Sequence, residues 1–394
     1  MSLLLQAASA EKPPTKNART ARELLSSRSL RMVLVLLGLW TALALHPETR
    51  DSFLSANNFS NLTAQVTEIV IIGVGMTLVI LIAGIDLSVG ATMALCGVVA
   101  AKLQIDLGQS ALVASAAAIA VGAAVGAWQG MLVVKYRIPA FIATLSGFLA
   151  YRGVGLVISD ARGLSPMGSD FAVIAGRVPV VASMLICALG LVVGITLLVR
   201  GDRRRKQLGL PSEGNVVLAL KCAAVVGAGV FFAVIYQNGM PVPVLIAAVT
   251  AALGAVILSK SRLGRYAFAI GGNAEAARLS GVPVKKVTVV IYLLIGVLTA
   301  VAGLVAAART NGVTPGNMGI MRELHVITAV VIGGTSLTGG RASMVGTVIG
   351  ALIFGTLSNG MNLMNVNSNW QLIFTGLILL GASMLDSLSS PKKT

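Results

Sequence analysis

Charged residues are scarce in this sequence of 394 residues. Only 11% of the residues are Asp, Glu, Lys or Arg, whereas a soluble domain carries roughly 25%. Hydrophobic residues make up 56% of the chain, and the mean hydropathy is +0.88. A soluble globular fold is therefore excluded, and the composition indicates an integral membrane protein.

Residues that carry catalysis or bind metal ions are also few. The chain has 2 His and 3 Cys residues, and Cys96, Cys187 and Cys222 lie in apolar stretches without the spacing of metal ligands or of a disulfide framework. His46 and His325 belong to no recognisable nucleophilic or paired acidic motif. The sequence therefore predicts a protein that is not an enzyme and that binds no metal or cofactor of its own.

A loop for binding ATP is missing as well. Such a loop has the pattern G-x-x-x-x-G-K-[ST], in which backbone amides and the Lys hold the phosphates. The nearest match, Gly334–Gly339, is followed by Gly340 and Arg341 and so lacks the Lys and the Ser or Thr. If ATP drives this protein, another chain must bind it.

Basic residues exceed acidic residues by 30 to 14, which gives a net charge of +16. A soluble basic chain would suggest a nucleic-acid partner, but in a membrane protein Lys and Arg gather in the cytoplasmic loops. Most Lys and Arg residues do fall in alternate loops, on the side that also holds both ends of the chain. We therefore expect contact with membrane lipid and not with nucleic acid, and we expect both termini in the cytoplasm.

Apolar windows of the length that crosses a bilayer predict an all-α polytopic membrane protein with about 12 transmembrane helices. The windows are residues 30–45, 63–83, 88–103, 110–134, 138–158, 179–199, 215–236, 241–258, 287–308, 323–338, 343–362 and 369–386. The predicted organisation is a tail at 1–29, a membrane domain at 30–387, cytoplasmic loops at 200–214 and 259–286, and a tail at 388–394.

Glycine residues interrupt two of the apolar stretches, in GIDLSVG (84–90) and GTSLTGG (334–340). Transporters often place their substrate route at such broken helices. We therefore predict a translocation pathway whose candidate residues are Asp86, Ser88, Thr335, Ser336 and, in an amide-rich outer loop, Asn359 and Asn362. The alternatives are that Asp86 or Ser88 caps the next helix, and that the amides are simply solvated.

Charged residues inside apolar windows are costly and therefore mark candidate functional positions. Glu68 is near the outer end of its window, where we expect it to reach the headgroups. We expect Arg152 to pair with Asp160, and the alternative is that it meets substrate near the external mouth. A self-sufficient transporter driven by an ion gradient would use Glu68 and Asp86 as its coupling carboxylates. This is the alternative to transport driven by ATP.

The segment 259–286 contains a readable short helix. Asn273 is a suitable N-cap, good helix formers follow through Leu279, Gly281 suits a left-handed residue after the helix, and Pro283 stops its continuation. So short a helix is marginal alone, because nucleation is costly. It must dock either on its own membrane domain or on a soluble partner.

The run GRYAFAIGGNAEAARLSGVPV (264–284) resembles the cytoplasmic coupling segment of permease subunits in the ribose, xylose and branched-chain amino-acid group of bacterial ABC importers. GIDLSVG and GGTSLTGG resemble two further signatures of the sugar branch, and the resemblance extends from about Leu54 to Ser387. The extra hairpin around Arg200 to Pro211 and the stretch Asn359 to Val366 resemble the D-xylose branch.

This resemblance implies a fold like that of type II ABC importers and ATP-driven import of a monosaccharide across the bacterial inner membrane. It also implies a permease homodimer, a periplasmic sugar-binding protein and a cytoplasmic ATPase subunit that holds the ATP. The residues expected to contact the ATPase are Gly272, Asn273, Glu275, Ala276, Ala277, Arg278, Leu279, Ser280 and Gly281.

Overall fold

The computed structural model describes residues 28–209 and 215–389, which form α-helices, one 3₁₀ helix and two isolated β-bridges. The helices are α1 (Arg28–Leu45), α2 (Arg50–Phe53), α3 (Ala56–Leu81), α4 (Val89–Ile105), α5 (Ala111–Lys135), α6 (Ala140–Ile158), α7 (Val180–Gln207), α8 (Asn215–Ile235), α9 (Val242–Lys260), α10 (Arg262–Gly272), α11 (Ala274–Leu279), α12 (Val284–Arg309), α13 (Arg322–Ile332), α14 (Met344–Leu363) and α15 (Ser368–Ser389). The 3₁₀ helix is Phe171–Ala175. The all-helical fold is confirmed.

Two long helices, α3 and α12, form the centre of the bundle. Most of their apolar residues are buried, and α12 packs against α3, α4 and α5. Glycines allow the closest of these contacts, since a Cβ atom added at Gly126 would overlap the Tyr292 carbonyl, and one added at Gly296 would overlap the Gly122 carbonyl. The G-x-x-x-G pattern of Gly122 and Gly126 therefore seats α5 directly on the backbone of α12.

Eight of the described helices are long and apolar enough to cross a membrane, namely α3, α5, α6, α7, α8, α9, α12 and α14. Residues 30–45 of α1 and helix α4 are apolar but shorter. Each predicted window contains a helix, and the total of about 12 spans stays a prediction.

The window 323–338 is not one continuous helix. Helix α13 has 11 residues and ends at Ile332, so at 1.5 Å per residue it covers about 16 Å of a bilayer core of about 30 Å. Gly333 follows it in a helical conformation and packs closely on the carbonyl of Gly346, and the chain leaves the helix at Gly334, which has φ +95°. The interruption is thus a true break in the helix.

The two predicted cytoplasmic loops contain more helix than expected. Helix α7 continues through Gln207, which places most of the loop 200–214 in its last turns, and residues 210–214 lie outside the described part of the chain. The segment 259–286 is built mainly from α10 and α11. Of the two predicted tails, residues 1–27 and 390–394 also lie outside the described residues.

Candidate functional site

Helix α11 has the boundaries that the sequence predicts. The Asn273 side chain accepts a hydrogen bond from the Ala276 amide at 3.0 Å, which caps the first turn. At the other end Gly281 has φ +83°, and the amides of Gly281 and Val282 donate to the carbonyls of Arg278 and Ala277, both at 3.0 Å. The Asn273 cap closes the first end and these two hydrogen bonds close the second, so both ends of this six-residue helix are satisfied.

The α11 helix buries one residue and exposes the rest. Ala277 is buried against the membrane domain, whereas Leu279 is 73% exposed. Arg278 donates two hydrogen bonds to the Glu275 carboxylate, at 3.0 and 2.5 Å, and this contact lowers the pKa of Glu275 and raises that of Arg278. An exposed leucine beside a fixed ion pair is a surface suited to a soluble protein partner.

The end of α10, within the segment 259–286, touches both glycine-interrupted loops. The Gly340 amide donates to the Leu81 carbonyl at 3.0 Å, which joins the loop after α3 to the loop after α13. A Cβ atom added at Gly271 would overlap that same carbonyl oxygen and would lie 2.5 Å from the Gly340 nitrogen. We call Leu81, Gly271, Gly339 and Gly340 the glycine junction, and it places the end of α10 against both broken helices.

The glycine junction and α10 were not among the sequence-based expectations. Ser261 caps α10 by accepting from the Gly264 amide at 3.1 Å, and the buried residues Ala267 and Ile270 are three positions apart. These are ordinary helix signals. The contact between Gly271 and Leu81 has no local signal, because it depends on how distant segments pack.

Asp86 and Ser88 are brought together in the first interruption and are 2% and 1% exposed. One Asp86 oxygen accepts from the Ser88 amide at 2.9 Å and from the Ser88 hydroxyl at 2.7 Å, while Gln129 donates to that hydroxyl at 2.6 Å. Asp86 thus forms a turn with Ser88, the residue before α4, and neither side chain accepts from an amide of the first turn of α4. A place in the pathway stays a prediction for both residues.

Thr335 and Ser336 lie in the second interruption and are fully buried. The Ser336 hydroxyl is 3.1 Å from that of Thr338, whereas the Thr335 hydroxyl has no hydrogen-bond partner in the structure. A buried hydroxyl without a partner is uncommon, because it gives up its bonds to water without replacing them. A place in the pathway stays a prediction for Thr335 and Ser336.

The amides of Asn359 and Asn362 are already engaged within the fold. Asn359 is 6% exposed and exchanges two hydrogen bonds with Asn58, at 2.9 and 3.1 Å, while Asn362 accepts from Gln371 at 2.9 Å. Asn359 is therefore not a solvated loop residue but part of α14. In this conformation its amide holds the start of α3 to α14.

Replacement of Asn359 by alanine is expected to destabilise the protein by about 1–3 kcal/mol, because the Asn58 amide loses its partner in a partly buried site. Thermal unfolding of the purified protein in detergent measures this loss. The double variant Asn58→Ala/Asn359→Ala is expected to cost about as much as one single variant, since both changes break the same pair. Additive losses, or reduced transport with unchanged unfolding, would instead favour a direct contact with substrate.

Contrary to the prediction, Glu68 does not reach the headgroups. It is 4% exposed, and its two oxygens accept from Arg309 and Arg322, each at 2.8 Å. Arg152 does not pair with Asp160 but donates to the carbonyls of Pro315 and Met318 at 2.8 and 2.6 Å. Packing between distant helices supplies partners for both charges, which leaves Glu68 poorly suited to bind a coupling ion.

No group of His, Cys, Asp and Glu side chains that could hold a metal ion occurs among residues 28–209 and 215–389. The sites that the described residues do form are an exposed helix, a junction of backbone contacts and buried polar clusters.

The comparisons with known proteins identify the family. The family model described as "Branched-chain amino acid transport system / permease component" matches residues 58–383. The xylose transport system permease protein XylH of Escherichia coli is 38% identical over 342 residues, which cover 86% of this chain and 87% of that protein. XylH of Haemophilus influenzae is 37% identical over 373 residues, covering 93% and 99%.

A ribose relative is almost equally similar. The ribose import permease protein RbsC of Escherichia coli is 37% identical over 364 residues, which cover 92% of this chain and 94% of that protein. No solved structure shows a significant match to the chain. The family gives no support to an ion-coupled transporter. The chain thus belongs to the permease-component family, in the group of the ribose and xylose ABC permeases, and is a multi-pass inner-membrane subunit that does not itself hydrolyse ATP.

Proposed function

We propose that this chain forms the transmembrane pathway of an ATP-driven importer of D-xylose and receives the sugar from a periplasmic binding protein. The xylose and ribose permeases of Escherichia coli match it almost equally, so they support a sugar substrate more strongly than they support a particular pentose. The preference for xylose rests on the extra hairpin of α7 and α8 and on the stretch Asn359–Val366.

The site proposed for the ATPase is the exposed face of α11 with its flanking residues, Gly272 to Gly281. The observation that carries this proposal is the combination of an exposed helix with a base that touches both interrupted loops. ATP binds the partner subunit, and its binding and hydrolysis displace α11. This chain supplies no ATP-binding residue in the proposal.

Movement of α11 reaches the pathway through the glycine junction. Since the Gly271 backbone lies against Leu81 and Gly340, a displacement of α10 presses on both loops together. Those loops hold Asp86, Ser88, Thr335 and Ser336, which are the residues proposed to line the route. Packed segments of this kind respond as rigid bodies with alternative positions, which suits alternating access.

The proposed assembly is a permease homodimer in the inner membrane, with both termini in the cytoplasm. Its support is the large apolar surface outside the core, which includes Leu149, Val157, Leu377 and Leu380. Lipid or a second copy must cover such side chains. The excess of basic residues in the loops beside α11 agrees with a cytoplasmic location for that face.

Replacement of Arg278 by glutamate tests the role of α11. The change removes the ion pair with Glu275 and places two carboxylates on the exposed face, so we expect ATPase stimulation by the sugar-loaded binding protein to fall about tenfold. The assay uses the complete complex in proteoliposomes.

Arg262→Glu is the matched control for Arg278→Glu, since Arg262 is an exposed arginine on α10 outside the proposed contact. It is expected to keep the stimulation within about twofold, because rim charges contribute little. Equal losses of ATPase stimulation in the two variants would show that the effect comes from a general loss of positive charge. Normal stimulation in the Arg278→Glu complex would refute the assignment of α11 as the contact with the ATPase.

A further inference from the structure

A cavity of about 390 Å³ lies between α3, the end of α12, α13 and α14. The helix α12 runs from the coupling segment to Arg309, and 26 residues at 1.5 Å each span about 39 Å. The cavity is therefore at the end of the bundle opposite the proposed ATPase site. Its volume is within the range of about 300–1,000 Å³ that small-molecule sites occupy.

Three polar side chains line this cavity and form no hydrogen bond with protein among the described residues. They are Gln65 on α3, His325 on α13 and Ser358 on α14. The ring of His325 packs on the ring of Phe354, with centroids 4.7 Å apart. The cavity therefore offers an amide, an imidazole and a hydroxyl beside an aromatic ring, which is the usual composition of a site for a polyhydroxylated ligand.

A charged group of three residues forms the rigid wall of the cavity. The oxygens of Glu68 each accept from one arginine, while the Nε atom of Arg322 is buried without a partner. The carboxylate is thus satisfied by protein, and N–H groups of the guanidinium groups are left for a ligand. A second cavity of about 270 Å³ shares Glu68 and Arg322 and adds Thr314 and Asn317.

We infer that this cavity is a transient binding site for a neutral monosaccharide, which it holds after release from the binding protein. The inference rests on the proposed function, because it assigns the entry site of the same pathway. Hydrogen bonds from Gln65, His325 and Ser358 orient the hydroxyl groups, and Phe354 offers an apolar surface to the sugar ring. The ion pairs of Glu68 fix the wall that the ligand contacts until the helices change position.

The first test measures sugar molecules transported per ATP hydrolysed, with the complete complex in proteoliposomes. We expect His325→Leu to lower this ratio about tenfold, since the ligand loses a hydrogen bond to a buried polar group. His325→Gln keeps a donor and an acceptor, so this variant is expected to retain most of the wild-type ratio of sugar transported to ATP hydrolysed.

Ser358→Ala has a matched control in Ser383→Ala, since both serines are half-buried in helices but Ser383 donates to the Leu379 carbonyl on α15 and does not line the cavity. Only Ser358→Ala is expected to lower the ratio.

The second test is saturation-transfer NMR of xylose, and of xylonate as an anionic probe, with the full-length permease in nanodiscs. Xylose is expected to give a signal that His325→Leu removes.

The outcomes separate this inference from the proposed function. If wild-type complex transports no neutral monosaccharide, the proposed function fails and the inference fails with it. If wild-type complex transports xylose but His325→Leu and Ser358→Ala keep the wild-type ratio, only the inference is overturned. A saturation signal from xylonate without one from xylose also overturns it, because the positive charges would then select an anion.

Discussion

Replacement of Gly271 by valine is expected to abolish coupled transport while the protein still inserts and folds. A side chain at this position would occupy the space of the Leu81 carbonyl and would push on the Gly340 nitrogen, so the two interrupted loops could no longer meet at the end of α10. Overpacking of this kind typically costs about 1–3 kcal/mol. Here the strain is concentrated in the glycine junction, which must move during transport. We expect sugar uptake by proteoliposomes to fall by about tenfold or more.

Gly227→Val is the control for this variant, because Gly227 lies within helix α8, outside the proposed contact with the ATPase, and has no atom within 4 Å of an added Cβ atom. Its uptake is expected to stay close to wild type. Thermal unfolding and yield of both variants show whether folding is intact. Normal uptake by Gly271→Val, or equal losses in both variants, would contradict the role of the glycine junction.

Replacement of Gly296 by valine is expected to have a large effect on stability. The Gly296 backbone lies against Gly122 and Gly126, so the isopropyl group would force α5 away from α12 at the centre of the bundle. The cost has two parts, the overpacking itself and the loss of dispersion contacts along the separated helices. We expect a loss of about 3 kcal/mol or more, seen as a lower unfolding temperature in detergent and reduced yield.

Gly190→Val tests whether any helical glycine behaves in the same way. Gly190 lies in α7, and an added Cβ atom there would have no neighbour within 4 Å. Its replacement is expected to leave the unfolding temperature nearly unchanged, since the Cβ atom would displace no neighbouring atom. A stable Gly296→Val protein would show that α5 and α12 do not pack as described.

Local features of the chain were predictable because their signals are local. Apolar windows located the helices, and Asn273, Gly281 and Pro283 marked the limits of α11, which the structure confirms with a side-chain cap and a left-handed glycine. The glycine break in GTSLTGG was also visible, although the window around it suggested a complete span. Caps, turns and periodicity act within a few residues, so a single sequence reveals them.

Contacts between distant segments could not be predicted in this way. Glu68 and Arg309 are 241 positions apart, and Asn58 and Asn359 are 301 positions apart. A buried carboxylate and an exposed one look alike in sequence, so only the packing of α3 against α12 and α13 shows that Glu68 is paired. The lining of the cavity beside it depends on four helices and has no sequence motif.

The most direct test of the account is uptake of labelled xylose, ribose and leucine by cells that lack this gene, with and without the restored wild-type protein. We predict that xylose uptake is lost without the gene and returns with it, and that depletion of ATP stops it while dissipation of the ion gradients at constant ATP does not. If only ribose uptake is lost and rescued, the substrate is ribose instead of xylose, and the assignment to a sugar permease still holds. Loss of leucine uptake alone, or xylose uptake that survives depletion of ATP, would contradict the account.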